Sequence, residues 1–289
     1  SVAKTVKEYP KRIWTIFRHW INVGKRQLDL SGVRRIGVDE TSRRRGHSYI
    51  TQFVDLDMRQ TIFVCQGKDA DTFKRFTDWL LAHNGEPTLI ETVSMDMSPA
   101  FTAGCVTYLP QANIVYDKFH MVQEANKKLE EVRKVEAHEK KLLKGHRFTL
   151  LHLRKNLPVE KQQELETILL TYPMLGKAYS LKEGLVEILN AASAGEKEAW
   201  NDFLKWMDMA TKSALEPFRK LVATFKAHLF GIKTFFEQGS VTNGILEGLN
   251  SKVQLAKRRA RGYSNVGNFM DMVYYINGGD SFRYPLKTT

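Results

Sequence analysis

Three acids stand out by what surrounds them. Asp39 lies in "RRIGVDETSRRRG", where Ile36 and Val38 flank Gly37, and the two-residue period of a strand puts Asp39 on the face opposite Ile36 and Val38. Asp96 closes a second β-rich run, "TLIETVSMD", and Ser98-Pro99 behind it opens a helix. Glu247 sits between Gly244 and Gly248 in "TNGILEGLNSKVQLAKRRARGY". A 3.6-residue period places Asn243, Glu247, Asn250 or Ser251, Gln254, Arg258 and Arg261 on one helical face, and Ile245, Leu249, Val253, Ala256 and Ala260 on the other. Two aspartates ending adjacent strands suit a hard divalent cation, Mg²⁺ or Mn²⁺ rather than Zn²⁺. A third carboxylate would complete a site for two ions, which at ~3.5–4 Å apart serve both ends of an in-line displacement at phosphorus. Taken singly each acid has a plainer role, because a strand-end Asp commonly caps a turn and a helical Glu is commonly solvated. Asp55, Asp57, Glu91 and Asp117 also sit in or beside strands and compete for the role. The ordered set of strand Asp, strand Asp and helix Glu is the specific signal.

Cations follow two of the acids. Lys257, Arg258, Arg259 and Arg261 come after Glu247, and Arg43, Arg44 and Arg45 come after Asp39. Both groups read either as solvated faces or as phosphate contacts, which give affinity and salt dependence more than sequence choice. His120, three residues after Asp117 at a strand-to-helix junction, could orient a phosphate or support the acids; its plainer role is a helix-start histidine bonded to backbone. The formal charge of +12 favours polyanions, nucleic acid before an anionic membrane. The two cysteines, Cys65 and Cys105, form no CxxC pair, which speaks against a disulfide framework or a cysteine zinc site and for a reducing, cytosolic setting. No apolar run approaches the ~20 residues of a membrane span. The sequence begins without Met and in mid-pattern, as a piece of a longer chain would.

The elements that must position these residues fall into regions. Residues 1–30 read as two amphipathic pieces broken at Tyr9-Pro10, with Ile13, Phe17 and Trp20 on one face: either the remnant of a helix-turn-helix or a basic helical arm. Residues 31–134 read as β-β-β-α-β-α-β-α, starting with a meander, with Asp69 or Asp71 as N-cap of the first helix. Residues 135–236 carry only helical stripes, such as Leu181, Leu185, Ile188 and Leu189, or Trp200, Phe203, Leu204 and Met207. Residues 237–280 return to the first domain with the glutamate helix and one more helix, and 281–289 form a tail.

The ordered acids resemble an RNase H-like nucleotidyl transferase with an Asp-Asp-Glu triad. More narrowly the chain resembles the ISL-three family of bacterial insertion-sequence transposases, through "LSGVRRIGVDETS", "SMDMSPAF", "YDKFHMVQEANKKLEEVRK" and "TNGILEGLNSKVQLAKRRARGY", which occur in family order over roughly 30–275. The resemblance implies an α/β fold: an RNase H-like mixed sheet flanked by helices, with an α-helical insertion (135–236) before the catalytic glutamate helix. It implies a DNA transposase that cleaves phosphodiester bonds at transposon ends and transfers the 3′-OH strand into target DNA. Asp39 would then bridge two Mg²⁺ (or Mn²⁺) ions, Asp96 would hold one and Glu247 the other, with Asp117, His120, Asn243 and Asn250 supporting them. The implied partners are DNA, as transposon ends and target, and a second copy in a homodimer; the implied setting is bacterial, cytoplasmic and nucleoid-associated, with no membrane. The zinc ribbon that family members carry ahead of their helix-turn-helix is not in this sequence. The alternatives are a metal-dependent nuclease or junction resolvase on the same fold, and a non-catalytic DNA-binding protein derived from a transposase. The intact acidic set argues against the last.

Overall fold

The computed structural model describes residues 2–44, 48–137, 145–238 and 243–282. Five strands, β1 (Arg35–Arg44), β2 (Ser48–Asp55), β3 (Gln60–Gln66), β4 (Thr92–Met95) and β5 (Asn113–Tyr116), form one sheet in the order β3-β2-β1-β4-β5. β1, β2 and β3 are an antiparallel meander, and β4 runs parallel to β1. Thirteen helices are interspersed among the described residues: α1 (Val2–Thr5), α2 (Pro10–Arg26), α3 (Asp71–Leu81), α4 (Pro99–Tyr108), α5 (Lys118–Ala137), α6 (Arg147–Leu151), α7 (Val159–Thr171), α8 (Pro173–Ser193), α9 (Ala199–Lys212), α10 (Glu216–Ala227), α11 (Leu229–Gln238), α12 (Asn243–Arg259) and α13 (Val266–Asn277). The order from β1 to α5 is the β-β-β-α-β-α-β-α read from periodicity. The chain divides into two compact units, residues 1–115 with 242–289, and residues 116–241.

In the first unit, the meander forms because β2 and β3 are runs rich in β-branched and aromatic residues, buried on both faces. Phe53 of β2 stacks on Phe76 of α3 with ring centroids 4.3 Å apart, and Phe73, Phe76 and Leu80 of α3 are fully buried. Neither Asp69 nor Asp71 caps α3 by side chain, contrary to the sequence expectation. The N-cap is Ala70, and both aspartates turn to Arg75, at 3.5 and 3.1 Å. The Thr72 N–H and hydroxyl are instead satisfied by the Asp69 carbonyl, and the Phe73 N–H by the Ala70 carbonyl, which leaves the carboxylates to Arg75. α4 begins as expected, with Ser98 Oγ accepting from the Phe101 N–H. α2 is held by α13: the buried Asp271 carboxylate accepts from Arg18 at 3.0 Å and from Lys25 at 3.5 Å. α13 is tied to β3 in turn, where the Tyr274 hydroxyl accepts from the Val64 N–H at 3.0 Å.

The helical unit shows no strand among its described residues other than the end of β5, as its stripes predict. Its core includes Leu185, Leu189, Phe203, Trp206 and Phe225. Trp206 takes the inward place beside Phe203 and donates from Nε1 to the Leu181 carbonyl at 2.8 Å, while Leu204 of the expected stripe stays 39% exposed. Lys182 is buried at 1% exposure in α8, its ammonium donating to the His152 carbonyl at 2.8 Å and lying 4.1 Å from the centre of the Tyr179 ring. Burial drives its pKa down from 10.5 to about 8, against the pull of Glu183. The depressed folded-state value means the unfolded chain binds the proton more tightly, so stability rises with pH between about 8 and 10.5, by ~3 kcal/mol for this group. Urea melts of the helical unit at pH 7.5 and pH 10 should show that gain, and Lys182→Met should remove it; an equal rise in the variant would show another group responsible.

Candidate active site

Gly37, Asp39 and Thr41 point to one face of β1, and Ile36 and Val38 to the other. Across the antiparallel ladder Gly37 faces Val54, Asp39 faces Gln52 and Thr41 faces Ile50 on β2. The parallel register with β4 pairs Ile36 with Val93 and Gly37 with Ser94. Two residues further along lie Asp39, still within β1, and Asp96, the residue after the end of β4. Both are half-buried. Asp39 Oδ1 accepts from the Glu40 N–H at 2.7 Å, and Asp96 Oδ1 accepts from the Ser98 N–H at 3.2 Å in the turn into α4.

Asp39 does not close its strand. β1 continues through Arg44 because β2 goes on pairing with it, Thr41 opposite Ile50 and Arg44 opposite Ser48. What ends near Asp39 is the pairing with β4, whose last residue is Met95. Arg43 and Arg44 therefore belong to a strand and not to a loop. Their side chains, and Arg45 altogether, lie outside the described residues.

α12 lies along β1. A Cβ on Gly37 would sit 2.7 Å from Leu246 Cδ2, Asn250 Nδ2 donates to Asp39 Oδ2, and the Lys257 ammonium donates to the Ser42 carbonyl at 2.5 Å. The spacings agree: from Leu246 to Lys257 a helix rises about 16 Å, and from Gly37 to Ser42 a strand advances about 16 Å. Leu246 and Leu249 are buried with Val54 and Leu56. At 100° per residue, Leu246, Asn250, Val253 and Lys257 make one line down the helix, with Leu249 on its β2 side. Glu247 lies about 100° round the helix from Leu246, on the flank away from Leu249, and is exposed. Among the described residues, no three carboxylate, histidine or cysteine side chains are gathered closely enough to hold a metal ion.

The other candidates have local roles. Arg258, Arg259 and Arg261 are exposed; Arg261 (φ 54°) and Gly262 (φ 89°) end the helix in the left-handed region, with the Gly262 N–H on the Lys257 carbonyl. The Lys257 ammonium is engaged on β1. Asp117, 7% exposed, accepts from the Phe119 N–H at the start of α5, and the His120 N–H donates to the Asp117 carbonyl. Asn243 begins α12, and its side chain lies outside the described residues. The competing acids are occupied elsewhere. Asp55 accepts from the Asp57 and Met58 N–H groups at the far end of the meander, and burial raises its pKa. Asp57 pairs with Arg35. Gln52 was not among the sequence candidates; its signal was an amide in the otherwise apolar run "YITQFV", at the register position opposite Asp39.

A mixed five-stranded sheet in this order, with two aspartates at the junction of its central parallel pair and a late helix laid on the first strand, defines an RNase H-like α/β protein. The chain belongs to the transposase family of the DDE, ISL3 type, whose family model matches residues 36–273. It is similar to the transposase for insertion sequence element IS1001 of Bordetella parapertussis, 28% identical over 258 residues, covering 86% of this chain and 62% of the relative. It is likewise similar to the transposase for insertion sequence element IS1557 of Mycobacterium tuberculosis, 28% identical over 276 residues, covering 86% of this chain and 61% of the relative. The chain thus spans about six-tenths of the length of the curated relatives it matches. The family implies dependence on a divalent metal. Asp39 and Asp96 are half-buried carboxylates, hard oxygen donors of the kind such a cation takes; Glu247 on α12 is exposed and is not gathered with them into a three-ligand set. No helix among the described residues is long and apolar enough to cross a membrane.

Proposed function

We propose that this chain is the catalytic part of a DNA transposase, cleaving phosphodiester bonds at transposon ends and joining the freed 3′-OH to target DNA. The observation that supports the reading is the parallel pairing of Gly37 with Ser94, two residues before Asp39 and Asp96, with the Glu247 helix fastened along β1. Asp39 and Asp96 would hold the metal, two Mg²⁺ or Mn²⁺ ions, and Glu247 would complete the set from α12. Bound metal supplies activation of the attacking oxygen and neutralisation of the leaving one. The role of the protein is to present the carboxylates in fixed positions and to hold the DNA backbone. Arg258, Arg259 and Arg261, exposed beyond Glu247, contact phosphates; Lys257 fixes the helix instead. Joining two ends calls for two copies of the chain, and chromosomal DNA as target puts the reaction at the nucleoid.

The test is an assay on DNA carrying transposon ends. Mn²⁺-dependent nicking and strand transfer are expected; nicking with no transfer would make the chain a nuclease, and binding with neither would sink the enzymatic reading. Replacing Arg258, Arg259 and Arg261 together by Gln should weaken binding to all DNA sequences alike and reduce the slope of log K against log salt by about 3, roughly one for each phosphate no longer neutralised. An unchanged slope would remove these arginines from the interface.

A further inference from the structure

We infer that Gln52 and Asn250 are positioning residues that aim the Asp39 carboxylate at its cation; this rests on the reading of Asp39 as a metal-holding acid. Gln52 and Asp39 are direct cross-strand partners on one sheet face, and α12 brings Asn250 onto the same face. Gln52 Nε2 donates to Asn250 Oδ1 at 2.5 Å, and Asn250 Nδ2 donates to Asp39 Oδ2. The relay has a direction. Gln52 is only 3% exposed, so its amide must be bonded within the protein. By giving its N–H to Asn250, it takes the oxygen end of that amide and leaves the NH₂ end for the carboxylate. A reversed Asn250 would set oxygen against oxygen.

Asp39 is then gripped at both oxygens, Oδ1 by the Glu40 N–H and Oδ2 by Asn250. A carboxylate oxygen carries two lone pairs, so it can accept a hydrogen bond and face a cation at once, and the rotamer is fixed before any cation arrives. The relay also fixes Glu247, because Asn250 lies one turn further along α12 and its bond sets the helix's axial position on β1. Partners of this kind behind a metal ligand change affinity by roughly 10- to 100-fold when removed.

The experiment is Mn²⁺ titration of the 289-residue chain, following free Mn²⁺ by electron paramagnetic resonance, with melting curves as the fold control. Asn250→Ala and Gln52→Met should each raise the apparent Kd about tenfold. The double variant should be no weaker than Asn250→Ala alone, because Gln52 acts through Asn250. Gln52→Met keeps the buried length and carries the test if Asn250→Ala melts early. An unchanged Kd in a folded single variant would overturn the relay, as would effects that multiply in the double variant. Asp39→Asn serves as the reference: if it binds Mn²⁺ as tightly as the parent chain, the metal site itself is misassigned, which is a different failure from that of the relay.

Discussion

Asp39→Asn should lower metal-dependent strand cleavage by roughly a thousandfold, equivalent to the loss of ~4 kcal/mol of transition-state stabilisation when a metal-holding charge is removed. The change is nearly isosteric. The asparagine carbonyl can still accept from the Glu40 N–H, but its NH₂ then faces the Asn250 Nδ2 donor, so stability should fall by ~1–3 kcal/mol. The variant should stay folded and bind DNA like the parent, with the loss of rate in the chemical step. Asp57→Asn is the informative contrast. Asp57 lies in the turn between β2 and β3 of the same sheet and pairs with Arg35 at a site where both side chains are about 40% exposed. Such a pair is worth ~1 kcal/mol or less, and cleavage should not change. A rate for Asp39→Asn within tenfold of the parent would mean that the carboxylate holds no metal.

Gly37→Val should damage both stability and activity, and the two can be separated. The added side chain would begin 2.7 Å from Leu246 Cδ2, 2.9 Å from Cδ1 and 3.0 Å from Cγ. Carbon contacts are favourable only at ~3.5–4.0 Å. Leu246 is 4% exposed and enclosed with Val54, Leu56 and Leu249, so it cannot swing clear. Valine gains some strand propensity, but that scale spans only ~1 kcal/mol, and overpacking costs ~1–3 kcal/mol. The steric term wins, and α12 lifts from β1. A shift of about 1 Å at Glu247 and Asn250 is worth roughly a hundredfold in rate. Leu246→Ala in the Gly37→Val background should recover part of both losses by returning volume at the clash, although Leu246→Ala alone should cost ~2–5 kcal/mol. Urea melts and cleavage rates on the three variants check this. Full activity in Gly37→Val would show that the helix need not lie on the glycine.

The strands and helices were legible because their periods are local. β2, β3 and the α3 stripe of Phe73, Phe76 and Leu80 follow from β-rich runs and 3.6-residue spacing alone. The length of β1 was not legible: "TSRR" has no strand pattern of its own and is extended because β2 pairs with it. The caps of α3 were misread for a similar reason, since Arg75 competes for the aspartates from a turn away.

The sequence by itself determined the order of the three acids, their element types, and that the glutamate helix is two-sided. Only the tertiary structure decided which acids are neighbours. The parallel register of β1 with β4 puts Asp39 and Asp96 each two residues beyond the Gly37–Ser94 pair, whereas Asp55, equally plausible in sequence, pairs with Ile36 near the start of β1. It also decided how α12 is turned. Hydrophobic periodicity put Asn250 on the outer face, but the helix shows Leu246, Asn250, Val253 and Lys257 to the sheet, because the sheet face it covers is itself part polar. Gln52, Asp39 and the Ser42 carbonyl give an amide and an ammonium better partners than water would at a half-buried seam. Periodicity records which residues are apolar; it holds no record of what the opposing surface offers, and that surface is assembled from segments some two hundred residues away in the chain.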